Sequence, residues 1–352
     1  MGHKYIYGMQ DKIQSKTDRG KAPNLCLKKY FRTEIIIFLK NPKSFYLRII
    51  INLTNCLRYP RKILHDKIAW KKNLEEIDKI ANKKNHIAFT IYGFKPGNKD
   101  LSLYQFLAIT SFVYKNPNTP VYVFYAFDND GIYWKKLNEH ATLIKLSDFD
   151  FYKRARFNHY AHKSDILRLI ILQNVGGIYF DIDTISVGKI EPLTHPTKAI
   201  LGFERNPETN EISGICNAIM WSPKGNLFIR KWLDSYKSFY SKGKDAFWGE
   251  HSIRLPLRIM NESRLQSHAI VLPPANLFAI DWLQLNETIF SNPEQNLWNP
   301  EHSPPLIHLW ETLAHEDLSR ITPEFIRNSE SWYAINARAI IDYLNIALNE
   351  LD

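Results

Sequence analysis

Residues 162–187 read HKSDILRLIILQNVGGIYFDIDTISV. A helix-length apolar run carries a lone Asp165 and a lone Arg168, meets Gly176-Gly177, and continues as a short apolar run into Asp181 and Asp183, one residue apart. Glycine tolerates the left-handed backbone that ends a helix, so the pattern is helix, stop, strand. Side chains two apart on a strand share a face, so Asp181 and Asp183 point the same way. Two bare carboxylates inside a sheet would be very costly. The pair therefore belongs at the strand's C-terminal end, where open α/β sheets hold their ligands. Like charges that close need a cation between them, and oxygen ligands suit Mn²⁺ or Mg²⁺, which bridge to phosphate oxygens. Asp165 and Arg168, three apart, share a helix face. Two roles stay open for them: an internal ion pair of a buried helix, or Arg168 turned to the phosphates with Asp165 accepting a hydroxyl.

The surrounding chain has the alternating texture of an α/β sheet. HIAFTIYGF from residue 86 is a strand, SLYQFLAITSFVYKNP a helix, TPVYVFYAFD a strand, GIYWKKLNEH a helix and ATLIKL a strand. Further apolar runs follow at GIYFDI, KAILGFE, CNAIMWS, HAIVLPP and PLIHLW. NLFIRKWLDSYKSFYS and the C-terminal SWYAINARAIIDYLNIAL read as helices. The expected architecture is one catalytic domain over residues 85–352, preceded by a mainly helical extension over residues 1–84.

That extension holds the charge. Of the 352 residues, positions 1–84 carry 20 Lys and Arg against 7 Asp and Glu, while the remainder carries 26 against 29. A basic appendage on a slightly acidic body argues against nucleic acid as a partner. The basic amphipathic segment 24–67 is suited to an anionic membrane surface; a helical cap with solvated lysines is the alternative. The N-terminus shows no apolar signal region. Three scattered cysteines, Cys26, Cys56 and Cys216, make neither a disulfide framework nor a zinc pattern. A reducing, cytoplasmic location is expected, with peripheral contact to the inner face of the membrane.

HKSDILRLIILQNVGGIYFDIDTI closely resembles the S-D-x-x-R … G-G-x-Y-x-D-x-D signature of glycosyltransferase family 32. Weaker likeness runs from about residue 86 to 310, through LYQFLAITSF, GICNAIMWSPKGNLFIRKWLDSY, WGEHSIRLP and VLPPANLF. The resemblance implies a GT-A-type open mixed sheet flanked by helices, with a Rossmann-like nucleotide-binding half. It implies a nucleotide-sugar donor, UDP favoured over GDP, Mn²⁺ or Mg²⁺, and transfer with retention to a hydroxyl of a glycan, lipid-linked glycan or protein. Asp183 would be the main metal ligand, and Asp181 would assist it and contact ribose or the donor sugar. Asp165 would contact donor hydroxyls, Arg168 the diphosphate or sugar. Tyr92 is a candidate base-stacking residue, with a core role as the alternative. His308 in PPLIHLWETLAH is the candidate third ligand; a hydrogen-bonded core histidine is the alternative. Glu204, Asn217, Glu250 and His251 are acceptor-side or donor-sugar candidates, each with a bland structural alternative. Trp221, Trp248 and Trp310 are candidate sugar-stacking faces or plain core.

Two rival readings remain. IYFDIDTI also fits the start of a haloacid-dehalogenase-type phosphatase, with Asp181 as nucleophile, Asp183 as acid/base and Mg²⁺ as the ion. A non-catalytic sugar- or membrane-binding protein on the same fold is the other. The lead-in from Ser164 to Gly177 is unexplained by the phosphatase, and the intact Asp165, Arg168, Asp181 and Asp183 set argues against the second.

Overall fold

The computed structural model describes residues 62, 64–81, 86–97, 100–153, 155–157, 159–238, 249–262, 264–295 and 303–351. The chain divides into two compact units, residues 1–67 and 68–352. The basic segment 24–67, with its expected membrane contact, lies almost wholly outside the described residues, as does the expected boundary near residue 84.

Within the second unit, residues 68–81 are helical and bury Trp70, Ile77 and Ile80. The Trp70 ring lies 4.2 Å from that of Phe149, and its Nε1 donates to the Phe151 carbonyl at 2.7 Å. Asn73 exchanges two hydrogen bonds with the Ser147 backbone, at 2.9 and 2.7 Å. An aromatic with a polar edge buries well only when that edge finds an acceptor, which is what Phe151 supplies.

The body is a seven-stranded mixed sheet in the order β10 (Ala269–Leu272), β8 (Ala199–Arg205), β9 (Ile212–Ser222), β6 (Gly177–Phe180), β1 (Ala88–Ile91), β2 (Val121–Tyr125), β3 (Thr142–Lys145). Strands β1 (Ala88–Ile91), β2 (Val121–Tyr125) and β3 (Thr142–Lys145) run parallel, joined by helices α1 (Leu103–Lys115) and α2 (Ile132–Leu137). A capping box starts α1: Gln105 N–H donates to Ser102 Oγ, and Ser102 N–H to Gln105 Oε1, so two amides at the helix start find acceptors. Helix α3 (Tyr160–Asn174) then leads to β6 (Gly177–Phe180), which pairs parallel with β1 on the side away from β2. The strand order reverses between β1 and β6, and this is where open α/β sheets form their ligand crevice. β9 (Ile212–Ser222) pairs antiparallel with both β6 and β8 (Ala199–Arg205), and β10 (Ala269–Leu272) closes the edge parallel to β8. This is the open mixed α/β sheet flanked by helices that the sequence led us to expect.

The Gly176-Gly177 pair is more than a helix stop. Both residues have positive φ, +79° and +107°, and a Cβ on Gly177 would sit 2.4 Å from the Ile87 carbonyl oxygen. The Ile178 amide donates to that same carbonyl at 2.9 Å. The glycines let β6 enter the sheet tight against β1, which sets the height at which Asp181 emerges.

Two features had no counterpart in the sequence reading. β4 (Phe151–Tyr152) and β5 (Ala155–Arg156) form a small antiparallel ladder. β7 (Thr184–Ser186) leaves the main sheet directly after the carboxylate pair and pairs antiparallel with β11 (Leu306–His308), setting Thr184 opposite His308.

Candidate active site

The two-stranded ribbon builds the centre of the site. Asp181 and Asp183 follow β6 at the switch point, and β11 carries His308 alongside them. One ligand atom from each of Asp181, Asp183 and His308 lies within 4.8 Å of the others, the one such group among the described residues. His308 Nε2 stands 3.3 Å from Asp183 Oδ2, and its buried Nδ1 has no hydrogen-bond partner. Asp183 Oδ2 also accepts the Glu311 amide at 2.7 Å, and the Asp183 carbonyl accepts the Leu309 amide at 2.7 Å. Burial by itself would lower the His308 pKa, but the Asp183 carboxylate beside it wins and the imidazole is raised above its ordinary value. Burial would raise Asp183, yet His308 and the backbone donors hold it below the ordinary carboxylate value. Two carboxylates and an imidazole converging on one point fit a hard divalent ion, and Mn²⁺ tolerates the nitrogen best.

Arg168 organises the side of the site toward β9. Its NH2 lies 3.4 Å from Asp165 Oδ1 and 3.2 Å from Asp181 Oδ1, and its NH1 donates to the Asn217 carbonyl at 2.7 Å and to Asp181 Oδ2 at 3.4 Å. Asn217 Nδ2 donates to Asp165 Oδ1 at 2.7 Å. The guanidinium also stacks over the Tyr179 ring, 4.2 Å from its centroid, and the Tyr179 hydroxyl donates to Asp181 Oδ1. Of the two roles left open by the sequence, the internal pair is present: Arg168 pairs with Asp165 and also reaches Asp181. Burial raises the Asp181 pKa; Arg168 opposes that rise and Asp183 adds to it.

Toward β1 the structure supplies a residue that spacing gave no reason to choose. Glu311 Oε1 accepts the Tyr104 hydroxyl at 2.7 Å, tying the turn after β11 to α1. Burial, then the neighbouring Asp183 charge, lift the Glu311 pKa to about 7. The turn rests on Trp310, which has φ of +56°, packs its ring 4.2 Å from that of His308 and donates Nε1 to the Ile280 carbonyl at 2.9 Å. Tyr92, at the end of β1, is buried with its ring 5.7 Å from Trp134, and its hydroxyl accepts Asn129 Nδ2 at 3.4 Å.

The other candidates lie around this centre. Glu250 and His251 sit in a five-residue π-helical stretch, Glu250–Arg254. Glu250 pairs with Arg254 at 3.3 Å and Arg258 at 3.4 Å, and neither ion pair involves the metal-type trio. His251 is buried, its ring 5.1 Å from Tyr236 and its carbonyl accepting Trp232 Nε1 at 2.7 Å. Glu204 is buried on β8, which raises its carboxyl. Trp221 is buried and donates to the His195 carbonyl at 2.9 Å. Trp248 lies outside the described residues.

Residues 104–200 match the family described as glycosyltransferase sugar-binding region containing DXD motif. Glucan organizing enzyme 1 of Cryptococcus neoformans var. grubii is 30% identical over 263 residues, covering 71% of this chain and 69% of that protein. A toxin of Photorhabdus asymbiotica is 35% identical over 112 residues, covering 32% of this chain but only 4% of the toxin. Among solved structures, the apo glycosyltransferase GlyE of Streptococcus pneumoniae is 12% identical with a TM-score of 0.41, covering 76% of this chain and 62% of that one.

Proposed function

Because the chain belongs to the family of glycosyltransferases with a DXD sugar-binding region, we propose that it moves a sugar from a nucleotide-sugar donor to a glycan hydroxyl, with a divalent cation and with retention at the anomeric carbon. The observation that carries the reading is the convergence of Asp181, Asp183 and His308 at the switch-point crevice. Membership of this family displaces the phosphatase alternative. It also sits badly with the site, since Asp181 has oxygens occupied by Arg168 and Tyr179 and is not poised to attack phosphorus.

Asp181, Asp183 and His308 would hold the ion. When bound there, Mn²⁺ or Mg²⁺ supplies neutralisation of the charge that grows on a departing diphosphate. The chain's own residues do the rest. Arg168 fixes Asp181 in one rotamer and adds positive charge behind it. Asp165 and Asn217, joined at 2.7 Å, offer polar atoms to the sugar. Asp165 and Asp181 are both paired to Arg168, which supports attack by the acceptor on the leaving-group face rather than a covalent sugar on the protein. A glycan acceptor is favoured because the relative that spans most of this chain is named for glucan, whereas the toxin likeness spans a small part of that protein. UDP is the favoured nucleotide. A cytoplasmic location with the basic segment 24–67 against anionic lipid fits an acceptor at a membrane; equal flotation with anionic liposomes before and after removal of that segment would end that part of the reading.

The test is nucleotide release from a panel of UDP- and GDP-sugars, with Mn²⁺ and then with a chelator. Metal-dependent release from one donor, lost in Asp183→Asn, is expected. Full activity of a folded Asp183→Asn variant would overturn the site assignment.

A further inference from the structure

A nucleotide has a hydroxyl-bearing ribose, and the carboxylates of the trio have little capacity left for it. A carboxylate offers about four acceptor positions. Asp181 takes the Tyr179 hydroxyl and Arg168 NH2 on Oδ1 and Arg168 NH1 on Oδ2. Asp183 Oδ2 takes the Glu311 amide and faces His308. A cation uses what remains of both.

Glu311 is placed differently. Its Oε1 accepts Tyr104, and no donor among the described residues reaches its Oε2. The side chain is half-buried, so this oxygen is neither sealed in the core nor fully in solvent. Its position in the fold matters as much. In the sheet, β9 and β1 flank β6 on opposite sides. Asn217 on β9 with Asp165 marks one side of the trio, and Glu311, tied to Tyr104 on α1, marks the other. A nucleotide sugar whose diphosphate rests on the trio sends its sugar one way and its nucleoside the other. The polar Asp165–Asn217 pair suits the sugar, which leaves the β1 side to the nucleoside. An acidic side chain accepting a ribose hydroxyl beside a switch-point crevice is a recurrent solution in nucleotide-binding α/β sheets.

We propose that Glu311, anchored by Tyr104, accepts a hydrogen bond from a ribose hydroxyl of the donor's nucleoside. The inference rests on the nucleotide-sugar reading above. Tyr104 is a positioning residue: it occupies one carboxylate oxygen and turns the other to the crevice.

The experiment is calorimetric binding of UDP, GDP and their 2′-deoxy and 3′-deoxy forms to the full chain with Mn²⁺. At pH 8, above the raised Glu311 value of about 7, the wild-type protein should prefer the ribonucleotide over one of its deoxy forms by about tenfold or more, as expected for a hydrogen bond to a charged acceptor. Glu311→Ala should still bind the nucleotide but with a ratio near one, and Tyr104→Phe should fall between. A general structural defect would weaken both nucleotides together and leave their ratio unchanged. If Glu311→Ala does not fold, Glu311→Gln keeps the shape and loses the charge, and its ratio should still shrink. An unchanged ratio in a folded variant, or no discrimination by the wild type, overturns the inference while leaving the transferase reading in place. Binding of neither nucleotide by the wild type overturns the nucleotide-sugar reading and this inference with it.

Discussion

His308 Nε2 lies 3.3 Å from Asp183 Oδ2, held there by the antiparallel pairing of β11 with β7. The pair lifts the imidazole above its ordinary pKa and keeps the carboxylate below its own. A metal needs the imidazole neutral, so binding must expel the proton that the pair retains. Mn²⁺ affinity is expected to rise with pH through the raised His308 value, with a proton released on binding below it. Calorimetry in buffers of different ionisation enthalpy reads that proton directly. His308→Ala should weaken Mn²⁺ binding and reduce the release to the share of Glu311, whose carboxyl is raised to about 7 beside Asp183. Binding with no linked proton in the wild type would remove His308 from the ligand set.

Arg168 touches Asp165, Asp181 and the Asn217 carbonyl at once. A lysine keeps the charge but is a single point that cannot serve three acceptors as a planar fork does. Arg168→Lys should therefore fold yet lose transfer by roughly a hundredfold or more, in line with the misplacement of a catalytic group by about an ångström. Arg168→Ala should also cost about 3–5 kcal/mol of stability, because it strands buried carboxylates. Urea unfolding and donor-hydrolysis rates separate the two effects; near-normal rates in Arg168→Lys would reduce Arg168 to a simple counter-charge.

The sequence carried much of the sheet and rather less of the site. All seven strands of the main sheet show as apolar runs: the central ones are buried, and the edge strands β3 and β10 keep apolar residues though they are only partly covered. The turn to Asp181 and Asp183 is equally legible, since Gly176 and Gly177 punctuate it. The i,i+3 spacing correctly put Asp165 and Arg168 on one face. It could not say that the guanidinium also reaches Asp181, since that depends on how closely β6 approaches α3. Of the β7–β11 ribbon only the PLIHLW run that holds β11 was legible; β7 and the pairing were not, since three residues are too few for a period and the two strands come from distant parts of the chain. Glu311 and Tyr104 meet through the same ribbon, so nothing local marks them as partners.

Gly177 tests the claim that close approach, not helix termination alone, requires glycine. Its φ is +107° and a Cβ would meet the Ile87 carbonyl oxygen at 2.4 Å. Gly225 has φ of +75° with nothing within 4 Å of its Cβ position. Gly225→Ala should cost only backbone strain, about 1–2 kcal/mol. Gly177→Ala adds a clash with backbone at the centre of the sheet, and roughly 3–5 kcal/mol is expected. Denaturant midpoints of the two variants measure the difference. Equal losses would mean that β6 can shift away from β1 without penalty, and the argument for how Asp181 gains its height would fail.

His251 offers a test of pH dependence away from the metal-type trio. Burial holds its pKa below the ordinary histidine value, against the pull of Glu250 and Asp165 and with help from Arg258 and His162. The neutral ring is thus the form the fold prefers. Its share of stability is present above the unfolded value of about 6.5 and is lost as pH falls from there toward the lower folded value. His308 runs the opposite way, since its folded pKa is raised. Comparing wild type with His251→Gln cancels the His308 contribution, which both proteins share. The melting temperature of the wild type minus that of the variant should fall between about pH 7 and pH 5, so the wild type slopes downward relative to the variant. A variant with the same slope as the wild type would show that the buried ring takes up its proton without penalty, and that the π-helical stretch around Glu250 opens to admit water.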